Sequence, residues 1–276
     1  MLKDIFQHNY LIKIDIKNLK KLTDKQIERY SHQIILNEIG VKGQKKLSKS
    51  KVFILGTGGL GSPVAMYLAS AGVGTLGIAD FDKVESSNLQ RQILFDENSI
   101  NKLKVNIAKK KINLLNSNIK INIYKKKITK SNVKKIISNY DVIVDGSDNF
   151  ETKYLLNDVC IKRKKILVSA SLSGFEAQIT TFKPWIKSGN HPCYRCIFPK
   201  NNGENEALNC RESGIIGGLA GTIGSLQSVE VIKEILNIGE SLSGNLFIID
   251  LLNGKFKKLK IKKNSKCKYC CTYLKS

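Results

Sequence analysis

The chain has 276 residues, enough for one large α/β domain or two small ones, with a substantial core in either case. It carries 46 Lys and Arg against 23 Asp and Glu, a formal net charge of +23. Its only arginines are Arg29, Arg91, Arg163, Arg195 and Arg211, while Lys, Ile and Asn recur throughout as in AT-rich coding sequence, so the surplus reads as a solvated lysine surface, open to an acidic protein partner, rather than a nucleic-acid site.

No apolar run reaches about 18 residues, which argues against a membrane-spanning helix. Seven cysteines without a secretory signal point to a reducing compartment and to metal or thiol chemistry. Residues 1–22 read as a lysine-rich N-terminal extension. Thr23 and Gln26 have the spacing of a capping box, and Ile27, Tyr30, Ile34 and Ile35 have helical spacing, which Gly40 and Gly43 are expected to break up. The stretch 51–91 then gives a strand over 52–55, a glycine turn (Gly56, Gly58, Gly59, Gly61), a helix to Ala71 and a second strand ending at Asp80. That is a nucleotide-binding βαβ unit: Gly56 permits the tight turn, Gly58 and Gly59 let backbone N–H groups approach a phosphate, and Gly61 lets helix and strand pack closely.

A polar loop over 86–95, a helix over 103–115, a strand over 119–124, a short helix over 132–138 and a strand over 141–145 continue the alternation of a parallel sheet covered by helices. A helix over 151–162 and a strand over 166–169 follow, but 175–182 and 246–261 read as adjacent strands or hairpins. Between them lie a loop region, 183–213, and a helix that starts among Gly214, Gly217, Gly218, Gly221 and Gly224 and runs to Leu236. The predicted fold is α/β, a Rossmann-like nucleotide-binding half (about 23–150) continuing into a mixed sheet with antiparallel strands (about 151–276). Residues 23–276 are expected to form a single domain with a zinc-stapled C-terminus.

Cys193 and Cys196 form one C-x-x-C pair and Cys267 and Cys270 another. Two such pairs can supply the four thiolates of a tetrahedral structural zinc, with no position left open for catalysis. Asp80 and Asp82 flank Phe81; in a dehydrogenase the first would take a ribose hydroxyl. That reading leaves Asn88, Arg91 and Lys104 unexplained, whereas an amide, a guanidinium and an ammonium just beyond a phosphate loop suit a triphosphate attacked at its α-phosphate. Asp148 follows a strand end, so it should face the same crevice and hold a magnesium ion, cap the next helix, or do both. Cys210, beside Arg211, is either a nucleophile that accepts an acyl group or sulfur, or an ordinary loop cysteine. Cys160 is expected in the core and Cys271 is a bystander.

Together, RYSHQIIL, GTGGLG, ADFD, SSNLQRQILF, GSDN, CYRC, NCRESG and CKYC resemble the ThiF/MoeB/HesA family, bacterial relatives of ubiquitin-activating enzymes, over nearly all of 22–270. The resemblance implies an adenylyltransferase that uses ATP and Mg²⁺ to activate the C-terminal glycine of a ubiquitin-like sulfur-carrier protein (ThiS- or MoaD-like) for thiamine or molybdopterin synthesis. It implies an ATP site on Gly59, Asp80, Asp82, Asn88, Arg91, Lys104 and Asp148, zinc on the paired cysteines, a homodimer, and a loop around Cys210 that in some members engages the carrier covalently. A separate sulfur-donor protein is expected, and the compartment is cytoplasm or the stroma of a genome-bearing plastid. Two departures stand out. His32 occupies the place of an arginine that usually reaches the partner subunit's ATP, and Gly146 occupies a place often held by cysteine, with little consequence expected. Competing readings are an NAD-dependent oxidoreductase, a scaffold that only holds a ubiquitin-fold partner, and a tRNA-modifying adenylating relative.

Overall fold

A computed structural model of the chain describes residues 22–187, 189–199 and 214–271. Most of the expected N-terminal extension, together with Cys210 and Arg211, lies outside the described residues. Helix α1 (Asp24–Ile34) opens on the capping box: Gln26 N donates to Thr23 Oγ1 (3.2 Å) and Thr23 N donates to Gln26 Oε1 (3.0 Å). Its Ile27, Tyr30 and Ile34 are buried. The segment breaks at residues 35–39, just before Gly40, but not at Gly43. Gly40, at φ +55°, starts a second helix, α2 (Gly40–Lys49), which runs straight through Gly43. A side chain at Gly43 would place its Cβ 3.1 Å from Ile39 Cγ2 and 3.5 Å from both Leu236 Cδ atoms, so this glycine permits close helix packing.

Five parallel strands follow: β1 (Lys51–Leu55), β2 (Thr75–Ala79), β3 (Lys120–Tyr124), β4 (Val142–Asp145) and β5 (Ile166–Ser173). Three antiparallel strands, β6 (Glu176–Phe182), β7 (Asn245–Asp250) and β8 (Lys255–Lys260), extend the same sheet. The helices between them are α3 (Gly61–Ser70), α4 (Lys104–Leu115), α5 (Val133–Ile137), α6 (Phe150–Arg163), α7 (Tyr194–Ile197) and α8 (Gly217–Leu236). β5 is longer than the predicted 166–169 because β6 pairs with it down to Ser173 opposite Glu176, across a turn where Gly174 takes φ +56°. The predicted loop 183–213 contains the single helical turn of α7.

The strand order β3-β2-β1-β4-β5-β6-β7-β8 fixes where a ligand can bind. The chain winds outward from β1 to β3, then returns to β4 on the other side of β1. β1 and β4 therefore form the topological switch point, and the crevice beyond their carboxyl ends is the binding position of such sheets. Both sheet faces are covered, so β1 is apolar from Val52 to Leu55. Val52 and Ile54 join a core with Val64, Leu68, Val105 and Val231. Phe53 and Leu55 point the other way, into a core with Ile137, Ile143, Leu156 and Tyr194.

Candidate active site and metal centre

The glycine turn is held from three directions. Gly56, at φ +86°, donates its N–H to Ala79 O at the end of β2 (2.8 Å). A Cβ on Gly61 would stand 1.9 Å from Gly56 O, so no larger residue fits where α3 begins. On the side of β4, a Cβ on Gly56 would lie 2.9 Å from Gly146 O, and one on Gly146 would lie 2.9 Å from Leu55 O. The two loops of the switch point touch backbone to backbone. A Cβ at 146 would thus force these loops to shift in this chain. Gly58 and Gly59 lie between these anchors: Gly59 packs beside Arg91 Cγ and Ala220 of α8, and Gly58 lies above the buried amide of Gln92. α3 has no side-chain cap, which suits its N-terminus to an anion.

Asp80, just past β2, is buried, and its carboxylate grips the loop. Thr57 N (2.9 Å) and Thr57 Oγ1 (2.8 Å) donate to Oδ2, and Asp82 N (2.9 Å) donates to Oδ1. Asp82 is paired with Lys104, whose Nζ lies 3.4 Å from its Oδ2, and Lys104 N donates to Asp82 O (3.0 Å). The Lys104 side chain is 7% exposed, so its charge sits in a partly desolvated position at the start of α4. Asn88 is buried, and its Oδ1 accepts from Glu85 N (3.2 Å), closing the 3₁₀ turn Ser86–Asn88. Arg91 NH1 donates to Ser87 O of that same turn (2.9 Å). Asn88 therefore shapes the turn that carries Arg91.

After β4, Asn149 rather than Asp148 caps α6: Thr152 N donates to Asn149 Oδ1 (2.9 Å). Asp148 is half-buried and accepts from Asn149 Nδ2 (3.3 Å). Sequence reasoning missed the neighbouring ion pair of Asp145 with Lys153. Asp145, completely buried, meets Lys153 Nζ at 2.8 Å and accepts from Ser169 Oγ (2.7 Å), while Nζ also donates to Ala170 O (2.7 Å). The signal was there, because a carboxylate ending the apolar run VIVD needs a buried partner, and Lys153 lies in the first turn of the following helix. A shallow depression lies beside this pair, over β5 and β6, with Tyr194 and Phe198 on its wall.

The four paired cysteines converge, although the two pairs lie far apart in the chain. Cys193 Sγ is 3.7 Å from both Cys196 Sγ and Cys267 Sγ, and Cys196 Sγ is 3.6 Å from Cys270 Sγ. All four sulfurs lie within 4.8 Å of one another. Thiolates about 2.3 Å from a central zinc stand about 3.8 Å apart, so this quartet fits the ion. Hydrogen bonding from Cys193 and then Cys270 lowers the pKa of Cys196, while that of Cys270 rises, chiefly through its contact with Cys193. Cys271 stands outside the quartet and donates to Asn264 O. Cys160 is in the core, where burial raises its pKa.

A glycine turn at the switch point of a mixed sheet, with Arg91 and Lys104 near it, and four cysteines that could hold a zinc ion are the arrangement of an α/β nucleotide-binding fold. The description of the ThiF family matches residues 30–269, and the chain belongs to that family. The adenylyltransferase and sulfurtransferase MOCS3 of Dictyostelium discoideum is 47% identical over 251 residues, 90% of this chain and 58% of that protein. MOCS3 of Culex quinquefasciatus is 44% identical over 253 residues, 91% of this chain and 57% of that protein. The chain thus spans little more than half the length of these relatives. The sulfur carrier protein adenylyltransferase of Thermus thermophilus is 38% identical over 249 residues, 90% of this chain and 92% of that protein. Among solved structures, E. coli MccB with MccA-N7isoASN shares the fold, with a TM-score of 0.78 at 24% identity over 89% of this chain and 74% of that one.

Proposed function

We propose that the chain adenylates the C-terminal glycine of a ubiquitin-like sulfur-carrier protein with ATP and Mg²⁺, releasing pyrophosphate. One observation carries this reading: the glycine turn, its Asp80 clamp, Arg91 and the Asp82–Lys104 pair are tied together at the carboxyl ends of β1 and β2, against the loop that leads to Asp148. The relatives' names, adenylyltransferase and sulfur carrier protein adenylyltransferase, point the same way. In this reading the carrier's carboxylate oxygen bonds to the α-phosphorus as the bond to the β-phosphate's bridging oxygen breaks. Arg91 and Lys104 neutralise the charge that builds on the phosphates, and no general base is needed. Magnesium, held by Asp148, would add charge neutralisation.

The carrier's tail enters the crevice beyond the carboxyl ends of β1 and β4. Residues 23–276 act as one unit, in cytoplasm or plastid stroma. Among the described residues no helix is long and apolar enough to cross a membrane. Sulfur is supplied by a separate donor protein. Two copies pair through α8, whose Gly218 and Gly221 have open space where a Cβ would stand.

The test is ATP–pyrophosphate exchange with candidate carriers, with mass spectrometry of the carrier. A carrier adenylate, its thiocarboxylate after sulfur donation, and loss of exchange by at least about 100-fold in Arg91→Ala are expected. Tight NADH binding without ATP binding would sink the proposal.

A further inference from the structure

The two cysteine loops do more than meet each other. Arg195, inside the first pair, forms a fork with Asp158 of α6: Nε donates to Oδ1 and NH2 to Oδ2, both at 2.8 Å. Its guanidinium lies between two rings, 4.3 Å from the centroid of Tyr154 on α6 and 3.9 Å from that of Tyr269 in the second pair. One residue thus touches both cysteine loops and α6. Beside it, Tyr194 N donates to Asn157 Oδ1 (2.8 Å), and Ile161 packs on the sulfur cluster. Tyr154, Asn157, Asp158 and Ile161 form one stripe of α6. Asp148 stands at the other end of this helix, about 12 Å along its axis from Asp158 to Phe150.

α7 is a single turn, too short to hold its shape alone, and its N-cap Cys193 and its residue Cys196 are both members of the quartet. A metal that joins these sulfurs to Cys267 and Cys270 therefore also orders the turn that presents Arg195 to Asp158. We propose that Arg195 is a positioning residue that ties the four-cysteine centre to α6, so that filling the centre and binding nucleotide at the other end of the helix support each other. This goes beyond a staple for the C-terminal segment, and it rests on the proposed function for ATP as the nucleotide and for its place beside Asp148.

By linkage, any such coupling is reciprocal: the factor by which zinc tightens ATP equals the factor by which ATP tightens zinc. The experiment uses the full zinc-loaded chain, a chromogenic chelator to follow zinc affinity and release, and calorimetric titration with Mg–ATP. In the wild type, saturating Mg–ATP is expected to tighten zinc at least about 5-fold, and zinc removal to weaken ATP by the same factor. Arg195→Lys keeps the charge but not the planar fork, so it should still bind one zinc per chain yet lose both effects. Tyr269→Phe should retain them, while Tyr269→Ala, which leaves the Asp158 fork intact, should reduce them and serves if Arg195→Lys fails to fold. Zinc affinity indifferent to ATP in the wild type, or undiminished coupling in Arg195→Lys, overturns the proposal. ATP binding without carrier adenylation removes the proposed function and leaves this coupling to be judged on its own readout; absence of ATP binding removes both.

Discussion

Lys153 shows how much of the site rests on a residue that touches no expected ligand position. Its ammonium and the Asp145 carboxylate are both almost fully buried, and the pair joins the end of β4 to α6 and β5. Two charges removed from water balance only while both are present, so truncating one leaves the other uncompensated. Lys153→Met should therefore lower unfolding stability by about 3–5 kcal/mol in denaturant titrations, whereas a double replacement of Asp145 and Lys153 by apolar residues should recover much of the loss. A single-variant loss below about 1 kcal/mol would show that the pair is reached by water. Arg91 contrasts with it. Its guanidinium is anchored on an exposed 3₁₀ turn by one bond to Ser87 O, so Arg91→Ala should lose exchange activity with little change in stability.

At the level of elements, α6 links sequence legibility to mechanism. Asn149→Ala removes the bond from Thr152 N and should cost about 1 kcal/mol, with ATP affinity weakened because Asp148 is the next residue; an unchanged ATP affinity would separate the cap from the site. The type and order of nearly all elements could be read in advance, because apolar runs such as VFIL and VIVD and the 3.6-residue spacing of the helices agree with burial in a covered sheet. The glycine turn and the cysteine pairs could be read because their spacing encodes local geometry. What could not be read depended on distant neighbours. Gly43 looks like a breaker until Leu236 is found against it, and Asp148 looks like the cap of α6 until the backbone gives that role to Asn149. Lys153 looks like a surface lysine until Asp145 and Ala170 surround its ammonium. Asn88, expected at the nucleotide, also closes its own turn through Oδ1, which spacing alone does not show.

At the level of the whole molecule, one face is unaccounted for within a single copy. Val229 on α8 is 53% exposed and Tyr67 on the adjoining α3 is 54% exposed; Ile216 is exposed just before α8, and Gly218 and Gly221 leave the helix surface smooth. Smooth helix surface rimmed by apolar side chains allows close backbone approach, which is what a pairing of two copies through α8 requires. Val229→Glu should convert a dimer to a folded monomer in sedimentation, with a cooperative melt that no longer depends on protein concentration. A wild-type monomer with full exchange activity, or a Val229→Glu dimer, would rule out this interface. The same variant decides what His32 does. In the family's pattern an arginine in that place reaches the partner subunit's nucleotide, whereas here His32 is exposed on α1 and Arg29 is turned to Leu115 O (3.1 Å). If the trans contact exists, His32→Arg supplies a fixed charge and should raise exchange, or leave it unchanged, in the dimer while having no effect in the Val229→Glu monomer. A large loss in the dimer would show that the imidazole itself is required. An equal gain in dimer and monomer would show that position 32 acts within its own subunit.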